Sequence, residues 1–196
     1  MMFITTLATL FLISLEEPVS YGDLYFEDTK DREAPLVHFK VGYSQDISNS
    51  FLDLHSIVAD AQVRVWRYFS TGALFQWTHS QYSQSGRAFR DLSAVGLVVK
   101  VPTQQWALFS HTTVDFMIGQ WNVLNMFPLR VDLIVGGGAG AIRSLDDVNG
   151  ASSWKISYLW SAEQRMMFYK NAGLYVQILG HRAGTHLGAG LHANFD

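Results

Sequence analysis

The serine, histidine and carboxylate side chains around residue 111 are the first place where this sequence could carry chemistry. His111 and Asp115 would share one face of a predicted strand, as a base and a carboxylate that orients it must. Ser110 directly precedes His111, and because side chains alternate along a strand, it would point to the opposite face. The spacing therefore predicts no serine–histidine pair within this strand.

Three histidines near the C-terminus raise the question of a metal site. His186 and His192 would share a face, but their spacing along a strand is roughly 20 Å, so they cannot bind one ion. His181 could meet one of them across a hairpin, but two ligands make a weak site. The chain also has no cysteine. We therefore expect neither a metal ion nor a cofactor.

Composition limits the class of protein. The chain has 196 residues, 48% of them hydrophobic and 14% aromatic, and its mean hydropathy is +0.09. No stretch reaches the ~20 apolar residues that a membrane-spanning helix needs. High apolar content without long apolar runs is typical of alternating strands. The net charge of −3 gives no electrostatic basis for binding nucleic acid.

The N-terminal region differs from the rest. Residues 3–15 are apolar or hydroxylic, and residues 20–22 (Ser-Tyr-Gly) could form a cleavage site, which predicts a signal peptide over residues 1–22. No Lys or Arg precedes the apolar run, so a buried N-terminal helix is the alternative, and whether the peptide is cleaved stays open. Residues 23–35 are charged and aperiodic, which predicts a periplasmic tail.

Alternation of side chains organises residues 36–196. The clearest case is residues 153–169, where Trp154, Ile156 and Tyr158 share one face and Ser157 and Glu163 the other. This parity is kept over more residues than the roughly 5–6 of a usual soluble strand, and it exceeds the roughly 9–11 that cross a bilayer. The predicted strands are residues 36–44, 60–69, 73–80, 104–118, 129–141, 153–169, 173–181 and 185–196.

The segments between these strands are predicted to be loops and turns. They include residues 44–59 with a helical turn at 51–57, a tight turn at 70–72, a polar loop at 81–91, a long connection at 119–128 and a surface loop at 142–152. Residues Val95 to Val101 could be a strand or part of a loop, and we favour the loop. Parity breaks at residues 66–68, which indicates a bulge or an Arg67 that reaches the membrane interface.

Eight such strands predict an all-β protein. Because every backbone polar group must be paired inside a bilayer, the sheet must close, with the last strand pairing with the first. The fold class is therefore an eight-stranded antiparallel up-and-down transmembrane β-barrel with a plugged polar interior. The alternative is a soluble ligand-binding barrel, which would have the apolar face inside.

The inward faces of these strands carry most of the charge. Since an unpaired buried charge is costly, these residues should form a salt-bridge network that rigidifies the barrel, rather than an active site. The predicted polar network of the lumen is Lys40, Arg64, His111, Asp115, Arg130, Asp132, Lys155, Glu163, Arg165, Gln177 and His192, with His181 and His186 also facing inward.

Several segments between about Phe39 and Arg182 resemble one family. They are Asn49 to Phe51 with His55, then residues 66–72, 119–124, 130–140 and 165–168. On these segments the chain resembles the small outer-membrane β-barrel proteins of predatory and gliding bacteria of the myxobacterial and Bdellovibrio type. Gln120 stands where that family has Lys. The resemblance implies a fold and a membrane, not an activity.

A second resemblance fails at the residues that matter. Asn171 and Gly173 match the end of the His-x-Ser-Asn-x-Gly motif of lipid A 3-O-deacylases, which are also eight-stranded barrels, but Phe168 and Lys170 stand in place of its His and Ser. We therefore predict a non-enzymatic barrel of the bacterial outer membrane that serves as a structural anchor or interaction partner. Its partners would be membrane lipid, lipopolysaccharide and an envelope protein, with no nucleic acid. The alternatives are a lipid-modifying hydrolase, which would need His79 and His111 to meet a Ser across strands, and a small pore.

Overall fold

The computed structural model describes residues 37–49, 51–66, 68–93, 102–123, 127–146, 152–169 and 171–195. The predicted signal peptide, the predicted tail and the ambiguous segment from Val95 to Val101 lie outside these residues. Among the described residues, no helix is long and apolar enough to cross a membrane.

Eight strands form one closed sheet in which each strand pairs with its neighbours in the sequence and the last pairs with the first. All of the pairings are antiparallel, so the predicted up-and-down barrel is confirmed. The strands are β1 (Val37–Asp46), β2 (Leu52–Trp66), β3 (Phe69–Tyr82), β4 (Pro102–Val123), β5 (Phe127–Asp146), β6 (Ser152–Tyr169), β7 (Ala172–His181) and β8 (Gly184–Phe195), with one helix, α1 (Gln84–Ser93), between β3 and β4.

The barrel closes between β1 and β8. The register runs from Val37 opposite Phe195 to Asp46 opposite His186. This pairing is the one predicted from the need to leave no open edge, and β1 continues two residues beyond the predicted end of the first strand at residue 44. Closure removes the two free edges that an open sheet of these strands would have, so only strand ends that extend past a neighbour are paired on one side alone.

The two faces of the sheet have opposite character. On β1, Phe39 and Val41 are about half exposed, whereas His38 and Lys40 are buried. The same alternation holds along β3, β6, β7 and β8. Because a strand sends successive side chains to opposite faces, each of these strands contributes an apolar outer face and an inner face that lies inside the barrel.

The barrel has two distinct ends. At one end, which we call the turn end, β2 and β3, β4 and β5, and β6 and β7 are joined by short connections. The other end carries the longer β3–β4 connection with α1, and we call it the helix end. Helix α1 begins just after Ser83, whose backbone N–H donates to Phe51 O and whose hydroxyl accepts from Gly86 N–H.

Exposed aromatic side chains form a girdle near each end. At the helix end, one row across neighbouring strands contains Trp77, Trp106, Arg143 and Trp154, and the Trp106 and Trp154 rings meet edge to face at 4.4 Å. The turn-end girdle consists of Phe39, Trp66, Tyr68, Phe69, Phe168 and Phe195. Exposed aliphatic side chains lie between the two rows, including Val41, Val63, Leu108, Val135, Leu174 and Leu191.

The strands extend further toward the helix end than the sequence predicts. Residues 52–59 belong to β2 and residues 142–146 to β5, where loops were predicted, and residues 84–93 form α1 rather than a loop. The predicted turn at 70–72 is also wrong, because these residues lie within β3, which begins at Phe69. Of the predicted 119–128 connection, residues 119–123 and 127–128 are in strands. The register shift between Arg64 and Trp66 confirms the predicted bulge.

One close approach inside the barrel requires glycine. Gly42 on β1 and Gly190 on β8 lie opposite each other, and the buried Tyr175 ring from β7 covers both. A Cβ atom at Gly190 would lie 2.9 Å from Tyr175 Cε1 and one at Gly42 would overlap the Tyr175 hydroxyl. The two glycines therefore make room for a large side chain within the narrow interior.

Candidate functional site: the charged interior

Lys40 is at the centre of the buried charges. Its ammonium lies 2.8 Å from Asp60 Oδ2, contacts Glu163 and lies 5.5 Å from the centre of the Tyr175 ring. Arg165, two residues from Glu163 on the same inner face of β6, donates through Nε to the other Glu163 oxygen. These four charged side chains are at most 6% exposed. Alternating charges thus form one chain across the lumen from β2 through β1 to β6.

Uncharged side chains also contact the Oδ2 atom of Asp60 or the groups bound to it. Gln62 Nε2 donates to Asp60 Oδ2 at 2.7 Å and lies 2.9 Å from His111 Nε2, while Thr113 Oγ1 donates to Gln62 Oε1 at 3.0 Å. His111 Nε2 is 3.4 Å from Asp60 Oδ2. His111 is therefore held in a network of ion pairs and amides, with no serine hydroxyl among its described contacts.

Two further ion pairs lie closer to the turn end. Arg64 Nη2 is 3.2 Å from Asp115 Oδ2, and Arg130 Nε is 2.9 Å from Asp132 Oδ1. Together with the chain around Lys40, the ion pairs join four cations to four carboxylates. Their formal charges cancel, which a low-dielectric interior requires if the desolvation cost of the ions is to be offset.

Histidines flank this network on the turn-end side. His38 Nδ1 is hydrogen-bonded to Asn194 Oδ1 at 2.7 Å, and its ring stacks on His192 with centroids 5.7 Å apart. His192 Nδ1 contacts Met167 Sδ at 3.3 Å. All of these side chains are buried, so the network fills the lumen up to the first residues of β1 and the last of β8.

Toward the helix end the interior also contains an apolar cluster, which the predicted polar lumen did not include. A cluster of buried side chains crosses the barrel there: Val58, Leu74, Ala107, Phe109, Ile142, Leu159 and Leu179. The signal was available in the sequence, because alternation places Leu74 and Phe109 on the faces opposite to Ala73 and Leu108. The interior therefore has a charged layer nearer the turn end and a layer nearer the helix end, here called the apolar layer, in which this cluster packs beside polar side chains.

A polar cluster of neutral side chains adjoins this apolar layer. The His181 and His186 rings lie 4.9 Å apart, and His181 stacks on Phe109 at 5.6 Å. His181 Nε2 is 3.2 Å from Gln76 Oε1, and Gln76 Nε2 donates to Ser56 Oγ at 3.0 Å. The predicted meeting of His181 with a second histidine across the β7–β8 hairpin thus occurs, deep inside the barrel.

The structure brings most of the predicted lumen residues together. Those that are buried or mostly buried inside the barrel are Lys40, Arg64, His111, Asp115, Asp132, Glu163, Arg165, Gln177, His181, His186 and His192, while the Arg130 side chain is 26% exposed. Asp60 is missing from the predicted set because it is the first residue of the predicted strand, although the alternation through Gln62 and Arg64 places it inside.

The prediction for Lys155 is wrong, because its side chain is exposed. Pairing between β6 and β7 begins only at Leu159 opposite His181, so the first residues of β6 extend past the β7–β8 hairpin. Lys155 lies in this extension, where the inner face of the strand meets solvent instead of the lumen.

The residues considered for catalysis and metal binding are not assembled into a site. Ser110 is exposed and His111 buried, and His79 faces outward on β3, so these histidines do not meet a serine. Within the described part of the chain, no group of three or more His, Cys, Asp or Glu side chains could enclose a metal ion. The geometry of the interior is that of buried side chains joined by ion pairs and hydrogen bonds.

No protein-family model and no curated protein matches the chain. Among solved structures, the chain is similar to Neisserial surface protein A (NspA), with 14% identity over 81% of this chain and 96% of that one and a TM-score of 0.46. A chain from the de novo design of transmembrane β-barrels has 12% identity over 81% of this chain and 95% of its own, with a TM-score of 0.46. The de novo designed TMB2.3 has 12% identity over 84% and 98%, with a TM-score of 0.43. The fold assignment itself rests on the closed strand order described above.

Proposed function

We propose that this protein is an integral barrel of the bacterial outer membrane that acts as a structural anchor or interaction partner in the cell envelope. The observation that carries the proposal is the inverted distribution of side chains: the apolar side chains of the outer face are exposed, while paired charges are buried inside. A soluble barrel would expose such an apolar surface to water at high cost, whereas a bilayer favours it.

The dimensions of the apolar outer surface support a membrane span. Phe69 and Trp77 on β3 belong to the two aromatic girdles, and eight residues of strand separate them, roughly 26 Å at 3.3 Å per residue. A tilt of roughly 40° shortens this to about 20 Å across the membrane, near the ~25 Å apolar band of outer-membrane barrels. Short turns at one end and a long connection at the other match the periplasmic and cell-surface ends of such barrels.

This orientation assigns the partners to the two ends. The helix end, with α1 and the longer connection, would face the cell exterior, where its girdle would contact lipopolysaccharide. The predicted tail of residues 23–35 would lie in the periplasm, where an envelope protein could bind it. The resemblance to the myxobacterial and Bdellovibrio-type barrels, the signal peptide and the absence of catalysis remain predictions of the sequence.

Of the alternatives, a hydrolase would need a nucleophile beside an accessible histidine. His111, His181 and His186 are at most 5% exposed, so a lipid substrate could not reach them without opening the barrel. A small pore would need a continuous aqueous path, which the filled lumen does not provide. These contacts favour the anchor or interaction role over both.

Fractionation tests the proposal directly. We expect the protein in the outer-membrane fraction of a density gradient, extracted only by detergent, with faster gel mobility unboiled than boiled because the closed barrel resists unfolding by detergent. Recovery in the soluble fraction without detergent would refute the membrane assignment. If the protein were soluble but still showed heat-modifiable mobility, the β-barrel fold would stand and only the outer-membrane location would be refuted.

A further inference from the structure

Two of the seven histidines differ from the others in facing outward. His38, His111, His181, His186 and His192 are at most 5% exposed, whereas His55 is partly exposed and His79 is exposed. The outward pair lies directly opposite on neighbouring strands, His55 on β2 and His79 on β3. Directly opposed residues have Cβ atoms about 4.5–5.5 Å apart, which brings the two imidazoles side by side.

Each imidazole is oriented through one of its two nitrogens. The Tyr43 hydroxyl is hydrogen-bonded to His55 Nδ1, and the two rings stack with centroids 5.9 Å apart. The Gln81 amide nitrogen Nε2 lies 3.4 Å from His79 Nε2, which accepts from it. His55 Nε2 and His79 Nδ1 have no hydrogen-bond partner among the described residues. For His55, one ring nitrogen held by a neighbour and the other left open is the arrangement found in metal-ligating histidines.

We propose that His55 and His79 form a binding site for a divalent transition-metal ion of the Ni²⁺, Cu²⁺ and Zn²⁺ group. Imidazole nitrogens are suitable ligands for these three ions. The order of affinity among Ni²⁺, Cu²⁺ and Zn²⁺ is a property of the ions rather than of the protein. Water completes the coordination, because the exposed Asp53, on the same outer face of β2, does not form a group of three ligands with the two histidines. Two imidazoles without a surrounding cage make an open and exchangeable site rather than a structural one.

The position of the pair makes it accessible to dissolved ions. His55 and His79 come one outward position after Ile57 and Trp77 in the direction of the helix end. They therefore lie on the far side of the aromatic girdle from the aliphatic belt. This inference goes beyond the proposed function and requires only the barrel, since it would hold for the same fold in detergent.

The test is calorimetric titration of Ni²⁺ into the full chain, folded in detergent and carrying no added histidines. We expect saturable binding of one ion per chain, reversed by a chelator. His55→Ala and His79→Ala should each abolish saturable binding, and Tyr43→Phe, which keeps the ring but removes the hydroxyl, should weaken binding by roughly 10–100-fold. Acidification should also weaken binding, because protons compete for the imidazole nitrogens.

Gln45→Ala is the matched control, because Gln45 lies opposite His55 on β1 but is not hydrogen-bonded to either imidazole. It should bind Ni²⁺ as the unchanged protein does. Heat-modifiable gel mobility shows whether each variant still forms the barrel. Equal binding by the unchanged protein and by a folded variant lacking both histidines would overturn the site, and unchanged affinity in Tyr43→Phe would overturn the positioning role of Tyr43.

Discussion

The position of the Lys40 ammonium inside the barrel is fixed by the charged side chains around it. Its ammonium lies between Asp60 and Glu163, and the Glu163 carboxylate also binds Arg165. Such a buried network adds little stability over an apolar core of the same shape, because desolvating the ions costs about as much as their attraction returns. Its loss is nevertheless expensive, since each remaining charge stays buried without its partner.

We expect Lys40→Met to lower the free energy of unfolding by about 3–5 kcal/mol, the usual cost of removing one member of a buried ion pair. Lys155→Met is the control, because Lys155 is exposed and its loss should change the stability by less than about 0.5 kcal/mol. Urea titration of the detergent-folded protein, followed by tryptophan fluorescence, measures both. Equal effects of the two substitutions would contradict the placement of Lys40 inside the barrel.

At the scale of the element, the alternation of β6 and β8 was sufficient to predict their faces and nearly their bounds. Both strands are apolar outside and polar or small inside for most of their length, so one rule of polarity holds throughout. Closure of β8 onto β1 also followed, because an open edge has no place in a bilayer. The inward positions of Lys40, Glu163 and Arg165 are consequences of the same alternation.

The first four residues of β2 could not be predicted by that rule, because their polarity is reversed. Leu52 and Leu54 are buried inside the barrel, whereas Asp53 and His55 face outward, beyond the aromatic girdle. The outer face meets water there instead of lipid. Because the outer face of a strand was expected to be apolar, this segment was predicted to be a helical turn. The start of β2 is therefore missed at the point where the outer face of the barrel meets water. The partners of each ion pair could not be predicted from the sequence either, because they depend on the register of strands that are far apart in the sequence.

The reversed polarity of residues 52–55 predicts which of two neighbouring substitutions destabilises the barrel. Leu54→Ala should destabilise the barrel by about 2–5 kcal/mol, because it opens a cavity in the interior. Asp53→Ala, one residue away, should change the stability by less than about 0.5 kcal/mol, because Asp53 is exposed. The same urea titration compares them. If residues 51–57 formed a surface loop, both substitutions would have similarly small effects.

For the whole molecule, the polar and apolar layers together decide whether the barrel conducts ions. A barrel of eight strands is only wide enough for its own side chains. Here Lys40, Gln62 and Arg165 fill the layer nearer the turn end, and Phe109 and Leu179 fill the layer nearer the helix end. An ion would have to cross first a set of neutralised charges and then a section filled by apolar side chains and by the hydrogen-bonded Gln76, Ser56 and His181. Either layer alone would be a barrier, and in series they close the lumen.

We therefore expect no steady conductance when the protein is inserted into planar bilayers. Molar KCl should not change this result, because salt screens exposed charges much more than buried pairs and does not hydrate the apolar layer. Heat-modifiable mobility of protein recovered from the bilayer lipid verifies insertion of the folded barrel, and a large porin in the same membrane verifies the recording. Unit conductance steps that scale with the amount of inserted barrel would contradict the filled lumen and favour the pore. They would leave the membrane assignment intact, since that assignment depends on the outer face of the barrel alone.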